Sequence, residues 1–304
     1  MRISYEFNSF DEVVVKGYKW IEENVKPNLI VVISHGMAER IERYDEFARF
    51  LLSNNIFVYG HSHRGHGLTS KSKEELGYLG VDGWNRMRED LKYAIEMAKK
   101  DYPDAKIILL GHSMGSFLAR DFIIENSKLI DGLILSGTGF YGNFKLRFGS
   151  IITRLITKRK GELYKSKIID KLVFGNNNSK ISSPKTKFDW ISRSEKAVQE
   201  YLKDPYCGNI HPSSFFFEFF TNLQRLLYES SFEEKNNNLK IFILSGDKDP
   251  IGFYGKGVNK TIDFYKSHEF KVEFTLYTDG RHEMLHEINK EEVYNDLLKW
   301  IKNI

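Results

Sequence analysis

The chain has 304 residues, of which 41% are hydrophobic and 28% charged, with a formal net charge of +4 and one cysteine, Cys207. That length can bury a sizeable core, while so small a net charge argues against a dedicated nucleic-acid binder, which would present a strongly basic face. One cysteine excludes an internal disulfide and a cysteine-rich metal site.

The N-terminal residues lack the apolar stretch of a signal peptide, and no uninterrupted apolar run approaches the roughly 18 residues of a membrane-spanning helix. The expectation is a soluble, cytoplasmic protein. Residues 3–7 and Val13–Trp20 read as an antiparallel edge pair. Leu29–Ser34, Ile56–Gly60, Ile107–Leu110 and Leu133–Ser136 follow as buried strands. Helices are expected between them at 41–53, 84–100 and 115–126, the first marked by Ile41, Tyr44, Phe47, Ala48 and Leu51 at i, i+3, i+4 spacing, the second with Asp82 as N-cap. This alternation predicts an α/β fold whose mostly parallel central sheet is flanked by helices. It stops after Ser136 and resumes at strand Leu239–Leu244, helix 256–267, strand 271–277 and a last helix near 288–302.

Residues 1–136 and 239–304 are therefore expected to form one core, interrupted by an insertion at 137–238. Turn-rich Gly137-Thr138-Gly139 and Asn236-Asn237-Asn238 mark its ends, and Asn176–Ser179 is its best candidate for a mobile loop. The insertion is the basic part of the chain, with 17 Lys and Arg against 10 Asp and Glu.

Chemistry is signalled by Gly111-His112-Ser113-Met114-Gly115, set between a strand and a helix. This is the pattern of a nucleophile elbow, in which glycines two before and two after the serine admit a sharp turn. Ser113 would stand above the sheet, with the Met114 N–H at a helix N-terminus facing developing negative charge. A serine hydroxyl needs a base, and the base a carboxylate to fix its tautomer. Ser245-Gly246-Asp247-Lys248-Asp249-Pro250 and Thr278-Asp279-Gly280-Arg281-His282-Glu283 follow two late strands, in the region where open α/β sheets gather their sites. Asp249 is the preferred acid, Asp247 the alternative, and His282 the base. His286 is assigned an ordinary surface or packing role. The loop Ser34–Glu39 follows an earlier strand, where Gly36 lets backbone approach and the Met37 N–H becomes the second oxyanion donor. His61, His63 and His66 lie close together but without a nearby carboxylate or cysteine, so the segment reads as a tight structural loop, not a metal site.

These segments, with His35–Glu39, Arg64–Gly67, Asp189–Arg193 and Asp204–Gly208, resemble the monoacylglycerol lipase and lysophospholipase branch of the α/β-hydrolases, a serine aminopeptidase S33-type family. The resemblance implies the α/β-hydrolase fold with a largely helical cap inserted after the sixth strand, and a Ser113, Asp249, His282 triad with Met37 and Met114 as oxyanion donors. It implies no metal and no cofactor. Ser62 departs from it, since relatives commonly carry Asp there; the expected effect is on loop packing.

Within the insertion, Phe215-Phe216-Phe217-Glu218-Phe219-Phe220 holds too many aromatics for one buried face, so some are expected to line an acyl pocket and the others to pack. Lys145–Lys171 holds nine Lys and Arg against two acids, with Ile151, Ile152, Leu155 and Ile156 among them. Such a run is more often a solvated helix face, but it can also rest transiently on anionic lipid. The functional expectation is hydrolysis of a lipid-like carboxylic ester, a monoacylglycerol or lysophospholipid, through an acyl-enzyme. The rivals are an amidase or aminopeptidase, which needs an acid such as Glu218 for the substrate amine, and a binding protein without turnover. Oligomeric state is left open.

Overall fold

The computed structural model describes residues 1–228, 232 and 235–304. Eight strands form one sheet in the order β1-β2-β4-β3-β5-β6-β7-β8, with β1 at Arg2–Asn8, β2 at Val14–Trp20, β3 at Leu29–Ser34, β4 at Ile56–His61, β5 at Lys106–His112, β6 at Gly132–Ser136, β7 at Lys240–Gly246 and β8 at Lys271–Tyr277. The β1–β2 and β2–β4 ladders are antiparallel, so β2 runs against the rest, and the other ladders are parallel. Ile30 and Val32 point into one layer and Val31 and Ile33 into the other. A continuous apolar strand is what a sheet covered on both faces requires. Helices α1 (Asp45–Leu52) and α9 (Lys290–Ile301) cover one face, while α2 (Gly83–Asp101), α3 (Met114–Asn126) and α8 (Lys256–Ser267) cover the other. The expected first helix is split, because Ile41–Tyr44 forms a 3-10 turn before α1.

Between β6 and β7 the described chain is helical: α4 (Asn143–Lys160), α5 (Lys167–Phe174), α6 (Glu195–Lys203) and α7 (Ser213–Tyr228). The insertion expected at 137–238 includes 229–231 and 233–234, which lie outside the described residues. Asn176–Ser179, expected to be mobile, is a turn tied into its surroundings. The Asn178 side chain donates to Thr186 O (2.7 Å) and accepts from Trp190 N (2.9 Å).

Asp82 occupies the N-cap position of α2, but its backbone is left-handed (φ 54°) and its carboxylate receives Asn85 Nδ2 (2.6 Å) in place of a helix N–H. The capping carboxylate comes from α7. Glu218 accepts from Gly83 N (3.1 Å) and Trp84 N (2.7 Å), and beside it Phe219 packs on Trp84 with centroids 5.6 Å apart. Glu218→Ala is expected to lower stability by about 1–2 kcal/mol, as loss of a helix cap does. Urea unfolding measures it, and Glu218→Gln, which keeps an acceptor oxygen, should recover part of the loss.

Candidate active site

Six parallel strands, β3 to β8, deliver their C-terminal ends to one edge of the sheet, and the residues singled out above gather there. Ser113 caps α3 in a strained conformation (φ 51°, ψ −119°) directly after β5. Its own N–H donates to Ser136 O (2.9 Å) on the neighbouring strand, which anchors the turn. A Cβ at Gly115 would collide with the Ser34 and His35 carbonyl oxygens, and one at Gly111 with Gly115 O. The elbow is therefore pressed against the end of β3.

That strand end carries the second loop. The Gly36 N–H is engaged by Glu39 Oε1 (2.5 Å), which leaves Met37, another residue of the cavity that Ser113 lines, as the candidate donor of this loop. A Cβ on Gly36 would lie 3.2 Å from Ser113 Cβ, a measure of how close the two loops run. Ala38 is left-handed (φ 54°), and its carbonyl accepts from Gly208 N (2.9 Å) and the Tyr201 hydroxyl (2.9 Å), both from the insertion. Met114 opens α3, where first-turn N–H groups lack intrahelical partners.

The loops after β7 and β8 bring Asp249 and His282 together. His282 Nδ1 donates to Asp249 Oδ2 at 3.0 Å, which leaves Nε2 as the basic nitrogen of the ring. Asp249 is fully buried and further held by Ser245 Oγ (3.1 Å) and Ile251 N (2.8 Å). Asp247, the alternative acid, is part of a surface turn instead, accepting from Asp279 N (2.8 Å). Burial alone would lower the His282 pKa, but the Asp249 charge and hydrogen bond outweigh it and raise the pKa above the usual histidine value. The ring lies between His112 and Trp190, at centroid distances of 4.9 and 5.0 Å. Burial pushes His112 down to about 4, so no second imidazolium competes beside His282 near neutrality.

Sequence reasoning gave Glu39, Arg43 and Glu283 no role of their own. Arg43 forms a bidentate pair with Glu283 (2.9 and 2.6 Å) and reaches Glu39 as well, while its guanidinium lies 4.8 Å from the centre of the Tyr201 ring. Tyr44 adds a hydrogen bond to Glu39 (2.9 Å). One cation thus ties the Met37 loop to the His282 loop. The Glu39–Arg43 half was visible as an i, i+4 pair, whereas the other half joins residues 240 positions apart.

A cavity of about 250 Å³ opens over Ser113 and His282. Its apolar walls include Phe117, Tyr141, Phe174, Trp190, Ile191 and Phe219, and its polar groups include Asp170, Lys171 and Lys187. Of the phenylalanine run only Phe219 reaches this cavity. Phe215 and Phe216 are buried in the main core, and Phe220 packs where Gly149 of α4 leaves room. A hydroxyl, a buried histidine–carboxylate pair and two candidate N–H donors around an apolar cavity can perform acyl transfer.

The family model described as serine aminopeptidase S33 matches residues 25–289. The chain belongs to that family. The mouse monoglyceride lipase is 32% identical over 109 residues, which are 36% of this chain and 34% of that enzyme. The match thus spans about a third of that relative. The monoacylglycerol lipase of Mycolicibacterium smegmatis is 24% identical over 278 residues, 90% of this chain and 88% of its own. Among solved structures, a thermostable carboxyl esterase of Bacillus coagulans in complex with glycerol superposes with a TM-score of 0.90 at 26% identity, covering 100% of this chain and 98% of that one. The S33 chain is accordingly an α/β-hydrolase.

The other histidines of this S33 member are structural in their contacts. His63 lies 3.0 Å from Ser34 Oγ and receives no ring partner at Nδ1, while His66 faces His211 of the insertion at 3.0 Å. Arg64 between them is buried against Asp90 (2.9 Å) and Asp11 (2.8 Å). The Ser62 hydroxyl accepts a long contact from Ile41 N (3.4 Å), and its carbonyl accepts from the Thr69 hydroxyl (2.7 Å). His286, expected at the surface or in packing, packs 5.9 Å from the Tyr44 ring and is held down to about 3 by burial. Among the described residues no helix is long and apolar enough to cross a membrane.

Proposed function

We propose that this S33 protein hydrolyses the carboxylic esters of lipid-like substrates, monoacylglycerols or lysophospholipids, through an acyl-enzyme. Residues 1–136 and 239–304 serve as the hydrolase core, and 137–238 as a cap that selects the acyl chain. Ser113 attacks the acyl carbonyl, His282 accepts its proton and returns it to the leaving alcohol, and Asp249 orients the imidazole. The Met37 and Met114 N–H groups hold the oxyanion. Water then repeats the cycle and frees the acid, with no metal or cofactor required. The observation that carries this reading is the buried His282–Asp249 pair, whose histidine lines one largely apolar cavity together with Ser113.

A second reading, cleavage of an N-terminal amide, draws support from Asp170. Glu218 is occupied at the α2 N-terminus, but Asp170 lines the cavity and offers a carboxylate for a substrate amine. Hydrolysis of a monoacylglycerol, a lysophospholipid, a short nitrophenyl ester and an aminoacyl amide at matched concentration separates the two, through kcat/KM. The ester reading expects the monoacyl lipids to lead. A lead for the aminoacyl amide, lost in Asp170→Asn, would replace it. A fluorophosphonate probe that failed to label the wild-type protein would favour a binding role over either reaction.

A further inference from the structure

Helix α4 is built inside out. At roughly 100° per residue, Phe144, Phe148, Ile151 and Leu155 fall within about 60° of one another. A stripe at that spacing ordinarily faces a core. Here the four side chains are 50–82% exposed, and the Phe144 and Phe148 rings stack side by side along the surface. The helix packs through other residues, with Leu146, Ser150 and Thr153 buried and Ile156 against the core. Of the isoleucines and leucines in the basic run, Ile151 and Leu155 therefore turn outward while Ile152 and Ile156 are half-buried. Helix α5 adds Ile168 and Leu172, one turn apart and more than 70% exposed.

Charge surrounds the stripe with one sign. Helix α4 carries Lys145, Arg147, Arg154, Lys158, Arg159 and Lys160, and no Asp or Glu. The same helical spacing sets Arg147, Arg154 and Lys158 along one flank of the apolar row and Lys145 and Arg159 along the other. We propose that this outward face of α4 docks on an anionic lipid bilayer. The apolar row enters the headgroup boundary and the flanking cations meet lipid phosphates and carboxylates. A second copy of the chain is the poorer occupant, because pairing two such faces would set six cations against six. Helix α5, whose Lys171, Val173 and Phe174 line the cavity, exposes Ile168 and Leu172 on its own outward side. Docking does not depend on hydrolysis; only its use, delivering lipid to Ser113, rests on the ester reading.

The test is pelleting of the full chain with phosphatidylcholine vesicles and with vesicles containing phosphatidylglycerol. Two variants are compared with wild type: one carrying Phe144→Ser, Phe148→Ser, Ile151→Ser and Leu155→Ser, the other Arg147→Glu, Lys158→Glu and Arg159→Glu. Unchanged melting temperatures confirm folding, and rates on a water-soluble nitrophenyl ester report the site separately. The expected result is binding to the anionic vesicles that weakens with salt and falls at least about tenfold in each variant. Absence of wild-type binding, or equal binding by the variants, overturns the proposal. So does a concentration-dependent dimer of wild type that either variant abolishes. Ser113→Ala protein should bind as wild type does, so a failed hydrolytic reading and a failed docking reading remain distinct.

Discussion

Ser113→Ala should lower kcat by about four to six orders of magnitude, the loss seen when a serine nucleophile acting in concert with its base is removed. It should also abolish labelling by a fluorophosphonate probe. The fold should be indifferent, because alanine adopts the same strained backbone and Ser113 N still donates to Ser136 O. Ser113→Gly should be equally inactive yet more stable by about 1 kcal/mol, since glycine relieves the φ of 51°. Urea melts alongside single-turnover assays measure both. Retention of more than a hundredth of wild-type turnover by the alanine variant would remove Ser113 from the proposed mechanism. The wild-type pH profile adds a sign. His282 acts as a base only when unprotonated, and its pKa is raised, so kcat/KM should climb with pH through a midpoint above the usual histidine value. Asp249→Asn removes the charge that raises that pKa, so any residual activity should have its midpoint moved to lower pH.

Arg43→Met is expected to be the most damaging substitution that touches no reacting atom. It leaves Glu39 and Glu283 buried without their cation, a situation that costs about 3–5 kcal/mol. Burial raises both carboxyl pKa values and Arg43 more than reverses it, holding each below the ordinary glutamate value. For an acid whose folded pKa is depressed, the stabilisation is present above the unfolded pKa and disappears as pH falls through the folded one. The stability difference between wild type and Arg43→Met should therefore be largest near neutrality and shrink in acid. Denaturant titrations across pH test this, and a gap that widened on acidification would contradict the assignment. Turnover should fall as well, mostly in kcat, because the Met37 and His282 loops lose their common tie. Arg43→Met with Glu39→Gln and Glu283→Gln should regain stability more than activity.

Strand and helix positions were legible because both signals are local. Apolar runs such as Ile107–Leu110 are long enough to identify buried strands, and Gly111 and Gly115 report a close approach that no side chain could permit. The acid was harder, because Asp247 and the preferred Asp249 lie two residues apart in one loop; burial against Ser245 and His282 is what separates them. Long-range pairings left no mark. Nothing around Glu218 announces that it caps a helix more than a hundred residues earlier, and Asp82, with the right residue type at the right position, is turned away by its left-handed backbone. The outward stripe of α4 was not singled out in the sequence for a related reason: periodicity gives the face of a helix that is apolar, and packing alone decides whether that face is covered.

The bond from Glu218 to the start of α2 bears on how separable the insertion is. A segment between two strands invites exchange with that of a relative to alter substrate range. Here α7 carries the carboxylate on which α2 depends, and Phe219 meets both Trp84 and the cavity. Helix α7 is thus, for purposes of recombination, part of the scaffold, and α4, whose Gly149 makes room for Phe220, is fitted to it. Chimaeras joined before Ser213 should need a small residue opposite Phe220, whereas those that also replace α7 must bring their own acceptor for Gly83 and Trp84.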